Sequence, residues 1–189
     1  MKMISQIEIL DAIHYTLQSP VMDGLSFAFE YVFKTELIWI ILALWCMRNP
    51  GRRKYGTILL LALIIEMCIT YPLKYAFMDP RPYEVYDVPA LITNHVSPSF
   101  PSSHAASTFC AATVTALFYR KRGLWLIGLA ILVSVTRMYM YAHWPQDVLV
   151  GMLIGVGSAF YIFFLCLRWG PETVFGDAGR DPEDDEVLE

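Results

Sequence analysis

The chain has 189 residues, of which 56% are hydrophobic and 17% charged, and a formal net charge of −4; its mean hydropathy is +0.46. That balance is too apolar for an ordinary soluble domain and reads as a membrane protein, with the lipid bilayer and not nucleic acid as its expected partner. Much of the negative charge lies in the closing stretch GDAGRDPEDDEVLE, which is expected to be a solvated, disordered tail.

In chain order, the first 34 residues place Ile4, Ile7, Leu10, Ile13 and Leu17 at helical spacing with polar residues between them, the pattern of an amphipathic helix lying on a membrane surface. Glu8 and Asp11 fall where a cleavable signal would need an apolar core, so none is expected. Pro20 should break this helix, and a second stretch then leads into the first apolar run. Runs of roughly 18 or more apolar residues can cross a bilayer, and 56–73, 103–119, 123–142 and 147–168 approach or meet that length. The run 35–48 does so when extended backwards through FAFEYVF.

The expected fold is therefore all-α: a polytopic membrane helical bundle of five transmembrane helices with an N-terminal amphipathic helix, six being the alternative if the first region also crosses. This divides the chain into an interfacial segment 1–34, a transmembrane domain 35–168 and an acidic cytoplasmic tail 169–189. Arg48, Arg52, Arg53 and Lys54 after the first span, and Arg120, Lys121 and Arg122 between the third and fourth, fix those loops on the cytoplasmic side. The loops 74–102 and 143–146 then face outward. Cys46, Cys68, Cys110 and Cys166 lie in apolar runs without metal-ligand spacing and read as small hydrophobes.

Three polar clusters fall at that outward end. Lys74 closes the second span in KYAFMDPRP, with Arg81 beyond the helix-breaking Pro80; FPSSHAAS opens the third span with capping residues; and TRMYMYAHWPQD joins the fourth to the fifth. Ionisable groups at membrane depth usually mark a site, and the free N–H groups of a helix start suit a phosphate. Asp147 is spaced to reach back to one nitrogen of His143, leaving the other for nucleophilic attack. Taken singly, each has a plainer reading: Arg137 as a snorkelling anchor, the Pro and Ser as ordinary capping, His143 with Asp147 as a structural hydrogen bond or a pair of metal ligands. Three such clusters at one face point instead to an anion site. Glu66 reads as a protonated, hydrogen-bonded group between helices or a substrate contact; Tyr139, Tyr141 and Trp144 as interfacial anchors and packing; His14 and His95 have no evident role.

KYAFMDPRP, PSSH and TRMYMYAHWPQD resemble the three signature motifs of the type 2 phosphatidic acid phosphatase (PAP2) superfamily, KxxxxxxRP, PSGH and SRxxxxxHxxxD, over about residues 56–168. Ser103 stands where the family usually has glycine and Thr136 where it usually has serine. The resemblance implies that His143 attacks phosphorus to form a phosphohistidine, Asp147 orients it, and His104 protonates the leaving oxygen and later activates water. Lys74, Arg81, Arg137, Ser102 and the amides near Ser103 would hold the nonbridging oxygens, with no metal or cofactor. In size and layout the chain is similar to bacterial undecaprenyl pyrophosphate phosphatases of the bacitracin-resistance type, which makes undecaprenyl pyrophosphate the first expected substrate. Phosphatidylglycerophosphate and phosphatidic acid are the alternatives among lipids, and a non-catalytic lipid-phosphate binder or transporter is the alternative in kind. The expected setting is the cell membrane, with the site extracytoplasmic and the C-terminus cytoplasmic.

Overall fold

The computed structural model describes residues 5–33 and 36–169, and all the regular structure among them is helical. The acidic tail read as disordered lies outside these residues, save for the helical backbone of Trp169. The elements are α1 (Gln6–Leu17), α2 (Pro20–Val32), α3 (Leu37–Met47), a 3₁₀ turn (Pro50–Arg52), α4 (Arg53–Phe77), α5 (Pro82–Val85), α6 (Ser103–Phe118), α7 (Arg120–Tyr139) and α8 (Pro145–Trp169).

Local chemistry explains the breaks. Glu8 accepts a hydrogen bond from the Ser5 backbone N–H at 2.8 Å to close the start of α1. Pro20 ends α1 as expected and also opens α2, because its missing N–H costs nothing at a first helical position; the Ser19 hydroxyl caps Met22 N–H at 3.2 Å. Asn49 caps Gly51 at 3.0 Å at the tight turn into α4. Met78, in the left-handed conformation at φ 54°, terminates α4.

At 25 residues each, α4 and α8 extend about 37 Å, enough to cross a ~30 Å hydrocarbon core. Three helical stretches, Pro50–Val85, Arg120–Tyr139 and Pro145–Arg168, are long and apolar enough to span a membrane, and Leu37–Met47 is a shorter apolar helix. α6, with 16 residues, is buried at every position from His104 to Thr115. It is the axis of the bundle, packed by α4, α7 and α8. Its Ala, Ser, Thr and Cys side chains permit that close approach, since lipid supplies little hydrophobic drive between helices and packing must.

α4 and α6 run antiparallel and are tied at both ends. The Tyr55 hydroxyl at the start of α4 lies 3.0 Å from Thr115 Oγ1 at the end of α6, and Lys74 Nζ near the end of α4 donates to the Pro101 carbonyl at 2.7 Å, just before α6. The arginine- and lysine-rich turns therefore share one end of the bundle, and the three polar clusters share the other.

Two glycines of α8 set its distance from α6. A methyl group on Gly151 would lie 2.4 Å from the Ser102 carbonyl oxygen, and one on Gly155 2.1 Å from that of Ala106. Gly151→Ala is expected to cost about 1–3 kcal/mol as overpacking and to displace the start of α6. Thermal unfolding and phosphate release on the same detergent-purified sample check this: both should fall, and an unchanged variant would contradict the close packing.

Candidate active site

Lys74 is almost fully buried. All three of its N–H donors are met by loop carbonyls, those of Pro101 at 2.7 Å, Pro98 at 3.0 Å and Ser99 at 3.3 Å. Arg81 works in the same way: Nε and Nη2 hold the Ser97 carbonyl at 3.1 and 3.0 Å, and Nη1 holds the Ala142 carbonyl at 2.7 Å. The two cations of the first cluster thus clamp the segment 97–101 and draw it to the loop after α7, while their charge still borders the cavity.

That loop is tight. The amides of Ala142 and His143 both turn back to the Arg137 carbonyl, at 3.1 and 3.3 Å, and Tyr141 sits at φ 54°, a strained conformation for a bulky residue. Its hydroxyl donates to Asp11 of α1 at 2.8 Å, and the Tyr139 hydroxyl donates to Asp23 of α2. His14 of α1 stacks on Tyr139 with ring centroids 4.8 Å apart. Both tyrosines are fully buried, so they brace the loop from behind and do not sit as interfacial anchors.

His143 faces Arg81 with one nitrogen and Asp147 with the other. Its Nε2 lies 3.4 Å from Arg81 Nη1, and a guanidinium can only donate, so that nitrogen presents its lone pair. The proton then belongs on Nδ1, 3.6 Å from Asp147 Oδ2. Asp147 is itself fixed by the Ser99 hydroxyl and by the Trp144 N–H at 3.0 Å. Burial first, and then the nearby Arg81 and Lys74 charges, hold the His143 imidazole well below its usual value of about 6.5. Both effects favour the neutral imidazole, whose Nε2 lone pair is turned toward Arg81 and the cavity.

The α6 start carries the second cluster. The Ser102 N–H donates to the Asp147 carbonyl at 3.0 Å and its hydroxyl caps Ala105 at 3.5 Å, which ties this helix end to α8. Ser103 begins the helix; the non-glycine residues with positive φ among those described are Met78 and Tyr141, so serine in place of glycine strains nothing here. The Thr136 hydroxyl bonds its own helix at the Val133 carbonyl, 2.7 Å away. His104 Nε2 lies 3.5 Å from Arg137 Nη1.

These groups meet at a pocket of about 240 Å³ lined by Lys74, Arg81, Ser103, His104 and His143. Of the residues marked in the sequence, Ser102, Arg137 and Asp147 do not line it and stand behind it. A family profile described as the PAP2 superfamily matches residues 55–171.

The chain belongs to the PAP2 superfamily.

It is 29% identical over 157 residues to an undecaprenyl-diphosphatase of Sulfolobus acidocaldarius, across 82% of this chain and 75% of that protein. It is 28% identical over 158 residues to the undecaprenyl-diphosphatase BcrC of Bacillus subtilis, across 82% and 81%. The crystal structure of LpxE from Aquifex aeolicus is similar with a TM-score of 0.76 at 27% identity, covering 87% of this chain and 98% of that one. As a PAP2 member with these relatives and these apolar helices, the chain is a membrane phosphatase acting on lipid phosphates.

The pocket also holds residues that the motifs do not mark: Glu30, Glu36, Tyr71, Asn94 and His95. Glu30, from α2, is paired through Oε2 with Arg137. Burial alone would raise its carboxyl, but His95, Arg137 and His104 outweigh that and hold it well below the usual carboxylate range. The available signal was an acid in the otherwise apolar stretch FAFEYVF. Glu66, by contrast, is fully buried away from the pocket and accepts from Thr70 of its own helix at 2.7 Å, not from another helix.

Proposed function

We propose that this PAP2 phosphatase removes the terminal phosphate of a polyprenyl pyrophosphate, undecaprenyl pyrophosphate in the first place, through a phosphohistidine on His143. The observation that carries the reading is the orientation of that side chain: a neutral imidazole whose unprotonated Nε2 faces the cationic pocket while Asp147 stands by Nδ1. Attack of Nε2 on phosphorus forms the N–P bond and breaks the P–O bond to the polyprenyl phosphate. His104, which takes up a proton when the substrate's negative charge sits beside it, gives that proton to the departing oxygen and later takes one from the water that cleaves the phosphohistidine. Arg81 and Lys74 border the charge that develops on the nonbridging oxygens, Arg137 and the free amides of the α6 start complete its partners, and Ser102 and Ser103 shape that end. Such transfers need positioning and charge stabilisation above all, and the doubly anchored cations provide both.

The substrate assignment draws on the two undecaprenyl-diphosphatase relatives, each aligned over 82% of the chain. For topology we keep five crossings, α3, α4, α6, α7 and α8, with α1 and α2 at the outer interface, although α3 with 11 residues is shorter than a full span and FAFEYVF closes the separate helix α2. The basic turns at the opposite end support a site outside and a C-terminus in the cytoplasm. The test is phosphate release by the purified protein in detergent with excess chelator. Undecaprenyl pyrophosphate, phosphatidylglycerophosphate and phosphatidic acid are offered side by side. Undecaprenyl pyrophosphate should be turned over fastest, with no loss to the chelator; preference for either glycerolipid would replace the substrate assignment.

A further inference from the structure

Glu30 lies outside the three motifs, on α2, yet it borders the cavity beside His104 and His143 and is only 6% exposed. Its Oε2 pairs with Arg137 Nη1, and the same oxygen lies 3.5 Å from His95 Nε2 and 4.0 Å from His104 Nε2. Arg137 has no exposed surface and does not line the pocket, whereas Glu30 does. The carboxylate therefore stands between the guanidinium and the space a phosphate would enter. Carboxylate and phosphoryl oxygens are equivalent ligands for a guanidinium fork, and two anions at one buried arginine repel each other.

We propose that Glu30 is a tethered anion that occupies Arg137 until a terminal phosphate displaces it, and so reserves the pocket for doubly charged terminal phosphates against the singly charged phosphodiesters of the surrounding bilayer. This rests on the assignment of Arg137 to the substrate phosphate made above. His95 gives the displaced carboxylate a second partner within reach, and its ring is placed by the Tyr83 hydroxyl, 3.3 Å from Nδ1. Leaving Arg137 does not strand the Glu30 charge. A terminal phosphate carries close to two charges at neutral pH and three free oxygens, and so gains more from the Arg81 and Lys74 charges that border the pocket. A diester carries one charge and two free oxygens, and gains less from the same cations against an unchanged competitor. Selectivity is the difference between these two gains, and when the turnover ends, Glu30 reclaims Arg137 and expels inorganic phosphate.

The experiment is calorimetric titration of the full chain in detergent with inorganic phosphate and with a soluble phosphodiester lipid, dihexanoyl phosphatidylglycerol. It compares the unaltered protein, Glu30→Gln, Glu30→Asp, Arg137→Gln and the double variant. An affinity is reduced by the fraction of time its site is free, so Glu30→Gln should tighten phosphate binding roughly tenfold. It should also make diester binding measurable, and Arg137→Gln should abolish both gains. Glu30→Asp keeps the charge on a shorter arm, should shift both constants in the same direction by less, and carries the test if Glu30→Gln does not accumulate. Unchanged or weakened phosphate binding in the folded Glu30 variants, or failure of both to fold, overturns the proposal and leaves Glu30 a structural anchor. A diester that stays unbound by Glu30→Gln while phosphate tightens overturns the selectivity. If Arg137→Gln alone binds phosphate as well as the unaltered chain, the assignment of Arg137 falls, and this proposal with it.

Discussion

His143→Ala is expected to lower phosphate release by on the order of 10⁴-fold or more, the scale seen when a covalent nucleophile is removed from a set of groups that act together. The fold should survive, because the loop that carries His143 is held mainly by other groups. Its amide and that of Ala142 bond the Arg137 carbonyl, Tyr141 is tied to Asp11, and Arg81 grips the Ala142 carbonyl at 2.7 Å. An unshifted unfolding temperature with activity gone separates chemistry from structure. The pH profile adds an independent check. Burial and the cations beside it lower the imidazole's value from about 6.5, so the neutral, nucleophilic form persists below that pH. The acid limb of kcat/KM should accordingly fall below 6.5; a limb above it would mean that the free enzyme holds this histidine protonated.

His104→Ala is expected to lower turnover of a lipid phosphate by about 10²–10⁴-fold, the usual contribution of a general acid. The deficit should depend on the leaving group. The alkoxide released from a lipid monoester such as phosphatidic acid departs poorly without a proton, whereas nitrophenolate, like a polyprenyl phosphate whose second pKa is about 6, needs little help. With p-nitrophenyl phosphate the first step should therefore be largely spared relative to phosphatidic acid. The second step still lacks its base, and phosphorylated enzyme should accumulate with a burst of nitrophenol. Equal loss on both substrates and no burst would remove His104 from the acid–base role and leave it as a binding residue against Arg137, 3.5 Å away.

How much of this was legible in the sequence depended on whether the chemistry sat within one local element. Lys74, Arg81, Ser103, His104 and His143 stand out because each occupies a helix end or the loop beside it, where an ionisable or capping residue interrupts an apolar run, and the structure brings all five to one pocket. The reach of Asp147 to His143 is a four-residue spacing and was legible too. Glu30 and His95 enter by tertiary packing: α2 lies against α7, and no spacing along the chain announces that contact. The periodicity of Ile4 to Leu17 showed an amphipathic first helix, but not that Asp11 and His14 of α1, with Asp23 and Glu30 of α2, turn toward the end of α7 and the loop after it. α6 was legible as an apolar run, while its place at the centre follows from small side chains and the glycines facing it on α8. Lys74 was marked as a phosphate ligand, yet its donors are spent on carbonyls. That distinction between charge and contact exists only in three dimensions.

The most direct test of the central claim is to quench the enzyme with alkali during turnover of a substrate labelled with ³²P in its terminal phosphate, digest it, and locate the label. The account predicts an acid-labile, alkali-stable phosphoryl group on His143, absent from His143→Ala and accumulating in His104→Ala. Active enzyme that carries no label, or carries it on another residue, would contradict it.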